Sequence, residues 1–187
     1  WTWERMALTR SRVLAADEPF GARVTETILD VLTSAGSRAD INADAASMRG
    51  RLLRDKPGKG PFDLKTVRGG MIDVEFIAQA GLLAAGPAHP DIFTGATQLA
   101  LANLSDIGAL SADDYHALAE AYLLYSRVNH MLRLTSEDDA AALEEEGLQR
   151  LLVRAAGAEN FAALSATLTA TQADIADRFV RLVGQPA

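Results

Sequence analysis

The chain has 187 residues, 49% of them hydrophobic, with six prolines, no cysteine and a formal net charge of -7. That length and composition suit one folded domain with a core of its own, and they exclude a disordered chain, a disulfide framework and thiolate chemistry. The acidic balance speaks against broad nucleic-acid binding, which requires many phosphates to be neutralised by Lys and Arg.

Taken in chain order, Trp3, Met6, Ala7, Val13 and Leu14 recur at helical spacing, with Arg10 on the same stripe. The segment begins inside a helical pattern without an initiator Met, so the expectation is a fragment with an upstream part removed. Asp17-Glu18-Pro19 reads as a helix start, followed by Phe20, Val24, Ile28, Val31 and Leu32 on one face. A short third helix carries Ala45, Met48 and Leu52 and ends before the Gly/Pro loop Asp55 to Pro61. After a short extended piece near Phe62 to Val67, a helix from about Met71 to Leu83 is apolar on nearly every face. Thr94 is placed to cap a helix bearing Leu99, Leu101 and Leu104, and Ser111 to Asp114 form a capping box with Asp in place of Glu. Behind that box Tyr115, Leu118, Tyr122, Tyr125, Asn129 and Leu132 line one side of a helix of about twenty residues, a stripe that suits core packing. Leu148, Leu151 and Leu152 mark another helix that stops near Gly157, and Asn160 caps a last one with Phe161, Leu164, Leu168, Ile175, Phe179 and Leu182. The acidic runs Glu137 to Asp139 and Glu144 to Glu146 read as solvated faces. The expected fold is an all-α, single helical-bundle domain over 1–187, with seven or eight helices.

The segment Phe62 to Gln79 carries the most chemistry. Asp73 and Glu75 lie on an otherwise interior helix, where a carboxylate requires partners. Lys65 and Arg68 supply charge just upstream, and Gly69-Gly70 permits a sharp turn and a close approach. With free amides opening the helix, these residues outline an anion site, with phosphate the expected occupant. A purely structural network of buried acids and bases fits the same residues. Seven basic residues fall between Arg49 and Arg68, namely Arg49, Arg51, Arg54, Lys56, Lys59, Lys65 and Arg68.

Other motifs do not hold. Gly58-Lys59-Gly60 lacks the Lys-Ser or Lys-Thr step and the preceding strand of a phosphate loop. Gly36-Ser37 is not followed by the paired carboxylates of a nucleotidyltransferase centre, since Asn42 stands where the second would be. His89, His116 and His130 share no ligand spacing, so no metal site and no nucleophile–His pair is expected.

Three stretches together resemble a known family: Trp3 to Arg12, Met48-Arg49-Gly50-Arg51, and Asp63-Leu64-Lys65 followed by Gly69-Gly70-Met71-Ile72-Asp73-Val74-Glu75-Phe76. The chain resembles the helical region that follows a nucleotidyltransferase domain in the bifunctional glutamine synthetase adenylyltransferase/adenylyl-removing enzymes. Weaker agreement continues through Ala121-Tyr122 and Arg127 to His130, so the likeness extends to about Leu134. It departs where Thr66, Val67 and Arg68 occupy the middle of the turn, and where Asn129 stands in place of a glutamate.

The resemblance implies a cytoplasmic enzyme that transfers AMP from ATP, with Mg, to a tyrosine of glutamine synthetase and removes it, in nitrogen metabolism. The opening Trp-Glu resembles the C-terminal, adenylylating half. The implied partners are the upstream nucleotidyltransferase domain, glutamine synthetase and the PII signalling protein, with no nucleic acid and no membrane. The metal-binding carboxylates belong to the upstream domain, so the chain alone is expected to be inactive, without catalytic residues, metal or bound cofactor. Lys65, Arg68, Gly69 and Gly70 become candidates for the nucleotide phosphates, with Arg10, Arg12, Asp73 and Glu75 as a supporting charge network. The alternative is a docking module for PII or glutamine synthetase that does not touch nucleotide.

Overall fold

Side-chain caps fix the starts of four helices. In the computed structural model, which describes residues 1–135 and 143–186, α1 spans Thr2–Leu8 and α2 Glu18–Thr33. Asp17 caps α2 by accepting the N–H of Phe20 at 2.9 Å. Ser37 likewise caps α3, Arg38–Asp55, by accepting from the Asp40 N–H at 3.3 Å. The chain continues through α4, Met71–Ala85, a 3-10 turn at Pro90–Ile92, α5, Thr97–Asp106, and α6, Ala112–Thr135. Ser111 opens α6 as the sequence predicts, accepting the Asp114 N–H at 3.1 Å and donating its hydroxyl to the Asp114 carboxylate at 2.7 Å. Helix α7, Glu146–Ala156, precedes α8, Phe161–Leu182, where the Asn160 side chain accepts from the Ala163 N–H at 2.8 Å. The domain is all-α, and no strand occurs among the described residues. No helix among them is long and apolar enough to cross a membrane.

The sequence places α4 inside, and inside it lies. It packs on α1, α3, α5, α6 and α8, with Val74, Leu82 and Leu83 essentially without exposed surface. Tyr125, Leu118 and Val128 of α6 and Leu168, Ile175 and Phe179 of α8 complete the core around it. Its apolar surface runs all the way round because neighbours meet it on every side.

Several expectations are corrected. Helix α1 stops at Leu8, and Leu14 is 80% exposed where the periodicity would continue the helix. The buried Thr9 donates its hydroxyl to the Met6 carbonyl at 2.7 Å, and the next two amides bond back three residues, tightening and ending the turn. Helix α3 is longer than expected, at 18 residues. The piece from Phe62 to Val67 is a series of turns, because the Asp63 side chain captures the Thr66 N–H and hydroxyl. Thr94 lies outside α5, whose N-cap is Ala96, and Leu99 faces outward at 57% exposure. Leu101 and Leu104 fill the inner face instead. Glu144, Glu145 and Glu146 are exposed as predicted, whereas the run Glu137 to Asp139 lies outside the described residues.

Removing the α8 cap with Asn160→Ala is expected to lower stability by about 1 kcal/mol. The core truncation Leu168→Ala should cost about 2–5 kcal/mol, and urea unfolding of both variants checks the ranking.

Candidate functional site

The site begins as a self-capped turn. The Asp63 carboxylate accepts from the Thr66 N–H at 3.2 Å, from the Thr66 hydroxyl at 2.9 Å and from the Lys59 N–H at 3.4 Å. The turn then feeds its carbonyls into the start of α4. Met71 N–H donates to Leu64 O at 2.8 Å, Ile72 N–H to Lys65 O at 3.3 Å, and Asp73 N–H to Gly70 O at 3.0 Å. The amides opening α4 are therefore not free, contrary to the sequence expectation, because the preceding turn folds back over the helix end.

Asp73, with no exposed surface, sits at the centre. Its Oδ1 accepts from Arg49 Nε at 2.5 Å, and its Oδ2 from Arg68 Nη1 at 2.6 Å and from the Gly69 N–H. Arg49, also fully buried, donates through Nη2 to the carbonyls of Thr66 at 2.9 Å and Val67 at 3.0 Å. Its Nη1 has no partner among the described residues. Arg68 donates through Nη2 to the Ala176 carbonyl at 3.0 Å and lies 4.8 Å over the Phe179 ring, joining the turn to α8. One carboxylate thus holds α3, the turn, α4 and α8 together.

Both glycines serve this closure. Gly69 has φ +77°, and a Cβ there would collide with the Gln172 carbonyl oxygen of α8; one on Gly70 would meet Leu64 O. The close approach is made to the protein's own backbone. Tyr125 donates its hydroxyl to Gly69 O at 3.0 Å, and the Gln172 side-chain amide donates to Pro61 O at 2.7 Å. Burial first, then the charges of Asp73 and Asp174, pushes the Tyr125 phenol well above its usual range, so it remains a proton donor.

Glu75 forms a separate, shallower cluster. It accepts the Tyr122 hydroxyl at 3.1 Å and lies 3.5 Å from half-exposed Arg10, which ties the end of α1 to α4. Burial pushes the Tyr122 hydroxyl up as well. Arg12 and Lys65 are exposed, and neither has an ion-pair partner among the described residues. Of the eight candidates, Asp73, Arg68, Gly69 and Gly70 meet at one point, Glu75 and Arg10 pair beside them, and Arg12 and Lys65 stand apart.

Sequence reasoning missed Arg49 as the main partner of Asp73. A signal was present, since Arg49 follows Ile41 and Ala45 at intervals of four on the buried face of α3. It also missed a second buried acid, Asp114, which accepts from Arg178 and Arg181, each at 2.5 Å, and so fastens the start of α6 to α8. The hydrogen bond from Arg181 holds the Asp114 carboxyl well below the ordinary range, outweighing burial, with help from Ser111 and Arg178.

The segment from Arg49 to Arg68 also carries five exposed cations. Arg51, Arg54, Lys56, Lys59 and Lys65 are exposed and without ion-pair partners among the described residues. Lys56 and Lys59 line an open cleft of about 530 Å³ whose other wall includes Asp63 and Thr66. No three His, Asp or Glu side chains among the described residues converge as metal ligands.

A family model described as GlnD PII-uridylyltransferase matches residues 43–183. The chain belongs to that family. It is also similar to proteins named bifunctional glutamine synthetase adenylyltransferase/adenylyl-removing enzyme. The one from Xanthobacter autotrophicus is 37% identical over 98% of this chain and 19% of its own length. That from Rhodopseudomonas palustris is 38% identical over the same shares, and that from Bradyrhizobium diazoefficiens 38% identical over 94% of this chain and 18% of its own length. The resemblance read from the sequence is borne out by these names, and the chain spans about a fifth of the length of these relatives.

Arg49→Ala leaves the buried Asp73 short of its main partner and should cost about 3–5 kcal/mol in urea unfolding. Asp114 has a folded-state pKa below its unfolded value of about 3.9, so its contribution is full above about pH 5 and falls as pH drops toward the folded value. The stability gap between the native protein and Asp114→Asn should therefore be widest near neutrality and narrow below about pH 4. A gap unchanged from pH 7 to pH 2.5 would show that the charge of Asp114 is not what stabilises the fold.

Proposed function

We propose that this chain is the helical region of a glutamine synthetase adenylyltransferase, and that its basic rim forms a phosphate-facing wall of the nucleotide site on an adjoining nucleotidyltransferase domain. The observation that carries this reading is the rim itself. On a chain of net charge -7, five cations from Arg51 to Lys65 stand exposed and without ion-pair partners among the described residues, next to a turn whose Thr66 and Val67 carbonyls are held by Arg49.

In the proposed reaction, ATP with magnesium held by the adjoining domain supplies the AMP group for a glutamine synthetase tyrosine. This chain's residues have two tasks. Lys65, exposed and without an ion-pair partner among the described residues, and Lys59 in the cleft offer positive charge to the phosphates that depart as pyrophosphate. Arg68 acts indirectly, because its Nη1 and Nη2 are held by Asp73 and Ala176 and its role is to fix the turn on α8. Asp73 orients Arg49 and Arg68 and has no access to substrate.

A second reading, a docking module for PII or glutamine synthetase without nucleotide contact, draws support from the inward commitment of Arg68, Gly69 and Gly70. Of the four phosphate candidates only Lys65 carries an exposed charged group without an ion-pair partner among the described residues.

The deciding assay is pyrophosphate-releasing adenylylation of glutamine synthetase by the chain joined to its nucleotidyltransferase domain. Lys59→Ala/Lys65→Ala should lower basal turnover or raise the KM for ATP at least tenfold with little change in melting temperature, since both side chains are exposed. Unchanged basal kinetics with a lost response to PII would select the docking reading.

A further inference from the structure

Helices α1 and α2 are attached to the domain differently from the rest. Among the described residues α2 packs chiefly on α1, and Leu32 is its one buried residue. Val24 and Ile28 are partly covered, whereas Phe20 is 57% and Val31 37% exposed. Trp1, Trp3, Val13 and Leu14 are exposed as well, so that six of the eleven exposed large hydrophobic side chains among the described residues fall within residues 1–31.

These side chains belong to one unit. Arg5 of α1 donates to the Ser34 carbonyl at the end of α2 at 3.2 Å. Val13 and Ala16 of the connecting segment lie beside Gly21 in the first turns of α2, where an added Cβ would sit 3.7 Å and 3.5 Å from them. The unit is joined to the domain by polar contacts, Thr2 to Asp44 and half-exposed Arg10 to Glu75, as well as by the packing of α1 on α3 and α4. Phe20 and Val31 of α2, together with the exposed Trp1, Trp3, Val13 and Leu14 before it, leave apolar surface open to a partner.

We infer that the α1–α2 face is an interdomain contact, covered by an apolar surface of the nucleotidyltransferase domain in the same polypeptide. Two comparisons select that occupant. The match to the uridylyltransferase-type family lies within residues 43–183, whereas the adenylyltransferase relatives align over 98% of the chain, α1 and α2 included. Those relatives are also about five times as long as the aligned segment, so in proteins of that kind most of the polypeptide lies outside it and is available to cover this face. The inference rests on the adenylyltransferase reading for the identity of the covering domain.

Hydroxyl-radical labelling of Leu14 and Phe20, together with amide exchange along α2, tests it in the 187-residue chain and in the chain joined to its nucleotidyltransferase domain. The expected result is ready labelling in the short chain and at least tenfold protection in the joined polypeptide. Phe20→Asp or Leu14→Asp should abolish that protection while leaving the melting temperature of the short chain essentially unchanged. Equal labelling in both polypeptides overturns the inference. So does protection of the short chain that rises with concentration alongside a doubled mass, or protection that appears only when glutamine synthetase or PII is added, because each assigns the face to another occupant. Pyrophosphate release measured on the joined polypeptide separates the two proposals: protection without adenylyl transfer overturns the functional reading alone, and transfer without protection overturns the interface alone.

Discussion

The fold depends on how the Asp73 carboxylate survives without water. A buried carboxylate is stable as an ion only when its lone pairs are met by strong donors, and Asp73 has three of them in Arg49, Arg68 and the Gly69 amide. Two guanidinium groups against one carboxylate leave an excess of positive charge. That excess is stabilised by the carbonyl dipoles of Thr66, Val67 and Ala176 and by the face of Phe179. These acceptors come from the turn and from α8, so satisfying one acid also sets the position of two further parts of the chain. Nη1 of Arg49 shows the limit of the arrangement: this buried donor group has no acceptor among the described residues.

The basic segment from Arg49 to Arg68 consequently divides into two populations. Arg49 and Arg68 point inward, where they are consumed by Asp73 and backbone carbonyls, while Arg51, Arg54, Lys56, Lys59 and Lys65 remain exposed. The helix dipole of α4 is answered internally too, by the Asp73 carboxylate in its first turn and by the carbonyls of Leu64 and Lys65. Whatever anion the outer rim attracts therefore meets mobile lysine and arginine ends, not backbone amides, and is held by charge more than by shape.

Features set by neighbouring residues were legible in the sequence. The caps at Asp17, Ser111 and Asn160 act within three residues of themselves, and the all-round apolar surface of α4 announced its central position. The features that escaped depend on distant partners or on competing local hydrogen bonds. Arg49 finds Asp73 across 24 residues and Arg68 finds Ala176 across 108, so although the spacing of Ile41, Ala45 and Arg49 turns Arg49 inward, no local pattern names the partner of either arginine. The end of α1 was hidden because its apolar spacing continues past Thr9, while the hydroxyl of Thr9 and two tightened amides stop the helix. The turn at Phe62 to Val67 looked extended for a similar reason, since nothing in its spacing reveals that Asp63 captures Thr66.

Helix α3 connects the two outward-facing surfaces. Its first half meets α1 through Asp44 and Thr2, and its last turns carry Arg49, Arg51 and Arg54. Eighteen residues at a rise of about 1.5 Å each give a rod of about 27 Å, stiffened at its far end by the Arg49–Asp73 pair. In the proposed arrangement, docking of the apolar α1–α2 face fixes one end of this rod, and the rod then fixes the distance and direction of the basic rim from the interface. Burial of the Arg49–Asp73 pair matters for that geometry because a charge pair exposed to water would let the end of α3 and the following loop move independently of α4. A clamp that never touches substrate would in this way determine where the cations that face the phosphates are held.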